Sequence, residues 1–432
     1  YAPAAVGPAL GGLIVKPTAV LEGPVWLMLL LFVPYWIGYR IASRRTVRGA
    51  RTVITAFSLL SCIALIAKVV PTASHDIYLY VFHGRALALH GVNPYAVFPV
   101  QIADPFVPLM GSWLSQLKNT YGPLWTSLAV AIVGIVGDRP TGLLIVFKAV
   151  SAAFFLGCIP LMSKLSTAIG ADRTNISRDG LMLLFGWNPT LLFEFAGNGH
   201  NDSAMVFFLL VALLLSIKGR TSLAALALSA SFLVKYFTLL CLPFFLAYAV
   251  SRGGPGLRDR AQAVVKAVLP VVLATILAYA PYWIGLATLD GLFDQASLVG
   301  IALASPLATA LTFLFGGGEH FFGSTASDLV VTMNPDLIAA LSSAAFFICF
   351  LALINAAFSR AMEPRDLVRF VFAPLICYLA MASLWLMPWH LSWIVPILIV
   401  EDAAFATVVV GATGMLLYSG YLAGPIIGAA LI

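Results

Sequence analysis

The segment SHDIYLYVFHGRALALHGVNPY at 74–95 follows directly on the apolar run 53–70 and sets His75 and Asp76 where that run should leave a membrane. A carboxylate at a water–lipid boundary is reachable yet partly desolvated, and can serve as a general base toward a hydroxyl group. Asp76 is therefore the first candidate for chemistry. The same residue also suits the N-cap of a helix over 77–90, a role compatible with the first.

A second polar knot, Asn198, His200, Asn201 and Asp202, lies between two apolar runs. Gly197 and Gly199 permit a turn there, and Asp202 with Ser203 suits a helix cap. Capping does not explain Asn198, His200 and Asn201 together, because polar groups near membrane depth are costly without partners or a task. His200 and Asn201 read as ligand contacts. Glu194 and Lys235 are isolated charges in apolar runs, each a functional candidate, with a mutual ion pair as the structural alternative. Lys235 could hold a phosphate. In PWHLSWIVP at 388–396, an aromatic belt accounts for Trp389 and Trp393 but not for His390 between them. Tyr121-Gly122-Pro123 reads as a loop entering a helix with Pro in its first turn. Glu319 and His320 follow a Gly triplet in a second polar stretch. No pair has metal-ligand spacing on one helix, so no metal ligand is assigned and a divalent cation stays open. No Gly-rich phosphate loop offers a cradle for a soluble nucleotide.

These residues need a membrane scaffold. Of 432 residues 61% are hydrophobic and only 10% charged, more apolar surface than a single soluble core hides. The windows 25–43, 52–71, 264–285 and 335–358 reach the ~18–20 apolar residues that span a bilayer. They must be helical, since backbone amides in lipid have only their own helix to bond. The expectation is an all-α polytopic membrane protein, one domain over 1–432, with about 11–13 membrane segments and two large external loops at 72–121 and 286–334. The net charge of +6 comes from short clusters between spans rather than a basic patch, which encodes topology and argues against nucleic acid. The clusters around Arg40–Arg51, Lys218, Arg252–Lys266 and Arg360–Arg369 are expected to be cytoplasmic. All six histidines, His75, His83, His90, His200, His320 and His390, then share the outer side, which predicts one outward polar cavity.

Two segments resist a simple count of crossings. Lys164, Arg173 and Arg178 reach the cytoplasm only if 122–137 or 142–163 is tilted or re-entrant. Lys235 breaks 221–250 into two half-helices, tolerated only where a cavity is lined. The helix at 77–90, ended by Gly91 and Asn93-Pro94, is expected to lie on the membrane interface, with a second at 301–315. The five cysteines fall inside apolar runs and read as core residues without disulfides or zinc. The chain begins without Met and without a basic leader, which reads as a few trimmed residues.

In this order, D-x-Y-x-Y with G-R and G-x-N-P-Y (Asp76, Tyr78, Tyr80, Gly84, Arg85, Gly91, Asn93, Pro94, Tyr95), Y-G-P-L-W at 121–125, G-H-N-D at 199–202, V-K-Y at 234–236 and P-W-x-L-x-W at 388–393 resemble the GT-C superfamily. In detail the chain resembles the bacterial branch that holds the actinobacterial alpha-mannosyltransferases of lipoglycan and phosphatidylinositol mannoside synthesis, over residues 50–400. The resemblance implies a multi-pass enzyme of the bacterial plasma membrane with its active site facing outward. It implies inverting transfer of a hexose, mannose first, from polyprenyl phosphate to a lipid or glycan acceptor, with Asp76 as base. His75, Arg85, His200, Asn201, Lys235 and His390 are expected toward the donor phosphate or sugar. Tyr78, Tyr95, Tyr121, Asn198, Asp202, Trp389, Trp393, Glu319 and His320 are expected around the acceptor. His390 departs from the pattern, which more often has Tyr. The rival readings are a transporter or flippase of lipid-linked sugar, with Glu194 and Lys235 forming a midplane site, and an oligosaccharide polymerase or ligase using a diphosphate donor.

Overall fold

The computed structural model describes residues 29–44, 48–71, 73–111, 114–170, 177–296, 335–383 and 386–429. The chain is an all-α polytopic membrane protein, and among the described residues extended structure is limited to one isolated bridge. Among the described residues, four helices are long and apolar enough to cross a bilayer: α2 (Ala50–Ala67), α5 (Pro140–Ala168), α11 (Leu257–Tyr279, extended by one turn) and the greater part of α13 (Pro335–Phe358). A further apolar pair, Pro189–Gly197 and α8 (Asp202–Ile217), is bent by 115° at its break, the shape of a broken span or a re-entrant loop. Several further crossings expected from hydropathy are instead apolar helices of 10–17 residues, including α4 (Pro123–Val136) and α9 (Thr221–Val234).

The helix that carries Asp76, α3 (Asp76–Ala88), does not float on an interface. Residues 76–86 are all buried, and Ile77, Leu79, Tyr80, Val81 and Phe82 have no exposed surface. The interfacial expectation rested on polar residues, among them Arg85 and His90, interleaved with apolar ones. In the fold Arg85 is instead buried, its Nε bound to Asp104 Oδ2 at 2.8 Å, and the more exposed His90 reaches the same oxygen through Nε2 at 2.8 Å. A polar residue whose partner lies elsewhere in the chain mimics an amphipathic pattern without facing water.

α3 and α4 run side by side in the same direction. Tyr121, before α4, touches Asp76 at the start of α3, and Arg85, near the end of α3, binds Asp138 just past the end of α4. Midway, a Cβ on Gly84 would lie 2.5 Å from the Ala129 carbonyl oxygen, so only glycine lets the two backbones approach this closely. α5 returns antiparallel to both, its Phe147 packed against Tyr80 and Trp125. The 14 residues of α4 span only about 21 Å, whereas the 29 residues of α5 span about 43 Å. α4 is thus too short for a full span and runs beside α3, while α5 is long enough to cross a bilayer by itself. At the far end, Ser177, which caps α6 (Arg178–Gly186), donates to the Ala42 carbonyl of α1 (Phe32–Arg44) at 2.6 Å, and Arg51 pairs with Asp179 at 2.9 Å.

Lys235 does break its helix, as expected. α9 ends at Val234, Lys235 is extended, and a 3-10 turn leads into α10 (Leu242–Arg252). Cys62, Cys158 and Cys241 are buried, and the sulfurs of Cys349 and Cys377 stand 3.4 Å apart as free thiols. The helix expected at 301–315, and with it Glu319 and His320, falls outside the described residues.

Candidate active site

Two carboxylates sit in the first turns of two helices, a position that the positive end of the helix favours. Neither acts as the cap. His75 occupies the cap position of α3 and Asn201 that of α8, in both cases without a side-chain cap bond. The Asp76 carboxylate is turned instead to Tyr121, whose Oη donates to Oδ2 at 3.1 Å. The Asp202 carboxylate accepts from Lys235 Nζ at 2.9 and 3.0 Å and from the Trp393 indole Nε1. Lys235 therefore pairs with Asp202 and not with Glu194.

Between the two lies His200. Its Nδ1 is 3.7 Å from Asp76 Oδ2 and 4.0 Å from Asp202 Oδ2, and its Nε2 is 3.3 Å from Glu194 Oε2. Neither ring nitrogen makes a hydrogen bond of good geometry, and the ring is stacked on Trp389 with centroids 4.2 Å apart. A short π-helical turn, Phe193–Gly197, presents Glu194 to this ring. Gly199 then takes φ +77, and a Cβ there would meet Ile77 at 2.9 Å and Lys148 at 3.2 Å. Both the left-handed backbone and the crowding require glycine.

The neighbouring polar groups mostly hold the frame. Asn198 Oδ1 accepts from the Ala73 amide at 3.0 Å and its Nδ2 donates to Glu194 at 3.1 Å, while Tyr80 Oη donates to Asn201 Oδ1 at 3.2 Å. Tyr95 Oη donates to the Tyr121 carbonyl at 2.7 Å. His390 Nδ1 accepts from the Met387 amide at 3.3 Å, and its ring packs on Trp393 at 4.6 Å. His75 and Tyr78 lie at the start of α3 with their rings edge to face.

Arg85 is placed differently from what its motif suggests. It lies nine residues beyond Asp76, about 13 Å along the helix, and its guanidinium is occupied by Asp104 and Asp138. A cation so paired and 3% exposed serves the frame rather than a donor phosphate. Two residues that sequence reasoning passed over matter here. Lys148 is buried inside α5 and donates to the Leu65 carbonyl at 2.7 Å and that of Lys68 at 3.4 Å, closing the end of α2 just before the Asp76 segment. Ser151, one turn on, donates to the Gly199 carbonyl at 2.8 Å. A lone Lys in a long apolar run was the available signal for the first. Among the described residues, no group of three or more His, Cys, Asp or Glu is arranged to hold a metal ion.

Electrostatically Asp76 stands apart. Its side chain keeps 10% exposure, whereas those of Glu194, His200 and Asp202 have none. Burial pushes its carboxyl up to about 6, with the Lys235 ammonium pulling it down, Asp202 raising it, and the Tyr121 hydrogen bond lowering it. Burial also holds the Tyr121 phenol well above its ordinary range, so it stays a proton donor. The arrangement can therefore offer a carboxylate that is mostly ionised at neutral pH and destabilised enough to accept a proton.

The residues from Asp76 to Lys235 all fall inside 12–251, the stretch matched by the family model described as "Alpha-(1->6)-mannopyranosyltransferase, N-terminal domain". The chain is similar to alpha-(1->6)-mannopyranosyltransferase B of Corynebacterium glutamicum, 26% identical over 386 residues that make up 81% of this chain and 60% of that protein. It is 23% identical to alpha-(1->6)-mannopyranosyltransferase A of the same organism over 256 residues, 55% of this chain and 51% of the relative. Alpha-(1->6)-mannopyranosyltransferase A of Mycobacterium tuberculosis matches at 25% over 214 residues, 48% of this chain and 39% of the relative. The chain thus spans 60% or less of the length of these relatives. Since the family model covers more than half of it, the chain belongs to the alpha-(1->6)-mannopyranosyltransferase family.

Proposed function

We propose that the protein is a membrane mannosyltransferase that moves mannose from a polyprenyl-phosphate donor to a hydroxyl of a lipid or glycan acceptor, with inversion at the anomeric carbon and Asp76 as general base. The observation that carries this reading is the partial exposure of Asp76 beside a sealed group of polar residues. An incoming hydroxyl can reach it, while Glu194, His200 and Asp202 stay closed to solvent. Family membership supplies the sugar, because the relatives are named for mannosyl transfer.

In this mechanism Asp76 takes the acceptor proton as the acceptor oxygen attacks the anomeric carbon, and the bond to the phosphate oxygen breaks on the opposite face. The departing phosphate needs donors. Lys235, with its Asp202 partner, and His390 are the nearest candidates in the cluster. Arg85 is left out for the reason given above. The depth of the site supports an outward position: Ser151 marks its level on α5, and the 17 residues from there to Ala168 rise about 26 Å, close to a hydrocarbon thickness of about 30 Å. The end where Arg51 and Asp179 meet would then face the cytoplasm of a bacterial inner membrane.

The test is purified protein in vesicles with radiolabelled polyprenyl-phosphate mannose and a lipid acceptor. Mannosylated product formed by the native chain and lost in Asp76→Asn supports the reading. Intact donor crossing the bilayer without product would make it a flippase instead.

A further inference from the structure

Resting on the reading above, we propose that Tyr121 is a positioning residue that occupies one oxygen of Asp76, so that the other oxygen is the one that receives the acceptor proton. Both close approaches to the carboxylate, Tyr121 Oη at 3.1 Å and His200 Nδ1 at 3.7 Å, converge on Oδ2. That directs Oδ1 to the incoming hydroxyl. The acceptor O–H bond breaks, an O–H bond forms at Oδ1, and the freed electron pair makes the new bond to the anomeric carbon while the phosphate leaves with its own.

Tyr121 is held more firmly than a loop residue needs to be. Its carbonyl accepts from two tyrosines of different segments, Tyr95 Oη at 2.7 Å and Tyr236 Oη at 3.1 Å. Its amide donates to Asn119 Oδ1 at 3.0 Å, and the next amide, Gly122, donates to the Val234 carbonyl at 3.1 Å. A Cβ on Gly122 would sit 2.0 Å from the Leu233 carbonyl oxygen, so the loop is pressed against the end of α9. Tyr236 is itself the acceptor of Tyr279 Oη at 2.7 Å, from the end of α11. The ring is braced edge to face by Tyr80 at 4.7 Å. Four segments thus fix one phenol against one carboxylate, the degree of support that a precisely oriented base requires.

The consequence is a pH signature. The groups facing Asp76 are Tyr121, Tyr80, the attractive Lys235, the repulsive Asp202, His200, and Ser74, whose hydroxyl receives the Asp76 amide. A hydrogen bond to the charged form favours ionisation. Tyr121→Phe keeps the ring and removes only the donor, and should move the acidic limb of kcat/KM upward from about 6 by about one pH unit, the tenfold expected for one lost bond to a charged group. The loss of rate is then larger at pH 6 than at pH 8.5, and KM for the donor holds. Should Tyr121→Phe fail to fold, 3-fluorotyrosine at the same position strengthens the donor and must lower the limb. An equal loss at every pH, or a fluorotyrosine limb that does not fall, overturns the assignment. Asp76→Asn measured alongside separates the two ideas: if it is inactive while the Tyr121→Phe limb stays put, the base survives and its positioning residue does not.

Discussion

Asp76→Asn should do two opposite things, and their coincidence is the sharpest test of the site. The carboxyl is raised from 3.8 to about 6 in the folded protein, a little over two pH units, which at 1.36 kcal/mol per unit converts to about 3 kcal/mol of strain on the ionised form at neutral pH. Because the folded protein holds this proton more tightly than the unfolded chain, its contribution to stability is complete below pH 4 and is lost as pH rises toward 6. Asn is nearly the same shape, can still accept from Tyr121, and carries no charge to bury. The variant should therefore be more stable than the native chain at pH 7.5, by up to about 3 kcal/mol, with the gain vanishing near pH 4. Its turnover should fall by roughly 10² to 10⁴ as the base is removed. Paired measurements of thermal unfolding at the two pH values and of mannosyl transfer in detergent check both halves. A variant that is active, or that is less stable at pH 7.5 with no dependence on pH, refutes the reasoning.

Other outcomes follow from particular contacts. Native kcat/KM should rise with pH through about 6 as Asp76 ionises and then level off, which a rate profile between pH 5 and 8 tests. Lys235→Gln strands the buried Asp202 carboxylate and should cost about 3–5 kcal/mol in unfolding experiments, most of it recovered in the double variant with Asp202→Asn. Arg85→Gln should lower thermal stability by unpairing the buried Asp104 but leave KM for the donor unchanged; a KM raised tenfold or more would return Arg85 to the phosphate. Dibromobimane should crosslink Cys349 to Cys377, whose sulfurs are 3.4 Å apart, and absence of the crosslinked, fluorescent product would contradict the packing of α13 against the helix ending at Cys377.

Much of the site was legible because isolated polar residues in an apolar chain announce themselves. Asp76, Glu194, His200, Asp202 and Lys235 each interrupt a hydrophobic run, and burial of a charge without a partner is too costly to be incidental. What the interruptions do not convey is pairing. Nothing local tells that Lys235 meets Asp202 rather than Glu194, since 33 residues and a helix break lie between. The direction of α4 was equally hidden. Its hydropathy is that of a span, and only Gly84 against Ala129, with Tyr121 and Arg85 at opposite ends, makes it a companion of α3. Arg85 misled for the converse reason: interleaved with apolar residues it suggested an interfacial helix at 77–90, whereas its partner, Asp104, sits outside any helix.

The indole of Trp393 reaches across 191 residues to Asp202, from beyond the stretch that defines the family at 12–251. The candidate site is thus built from an early and a late portion of the polypeptide. A fragment stopping at residue 251 would retain Asp76, Glu194 and Asp202 yet lose the indole that Asp202 accepts from. Any change in the late portion that moves Trp393 is therefore felt directly at Asp202.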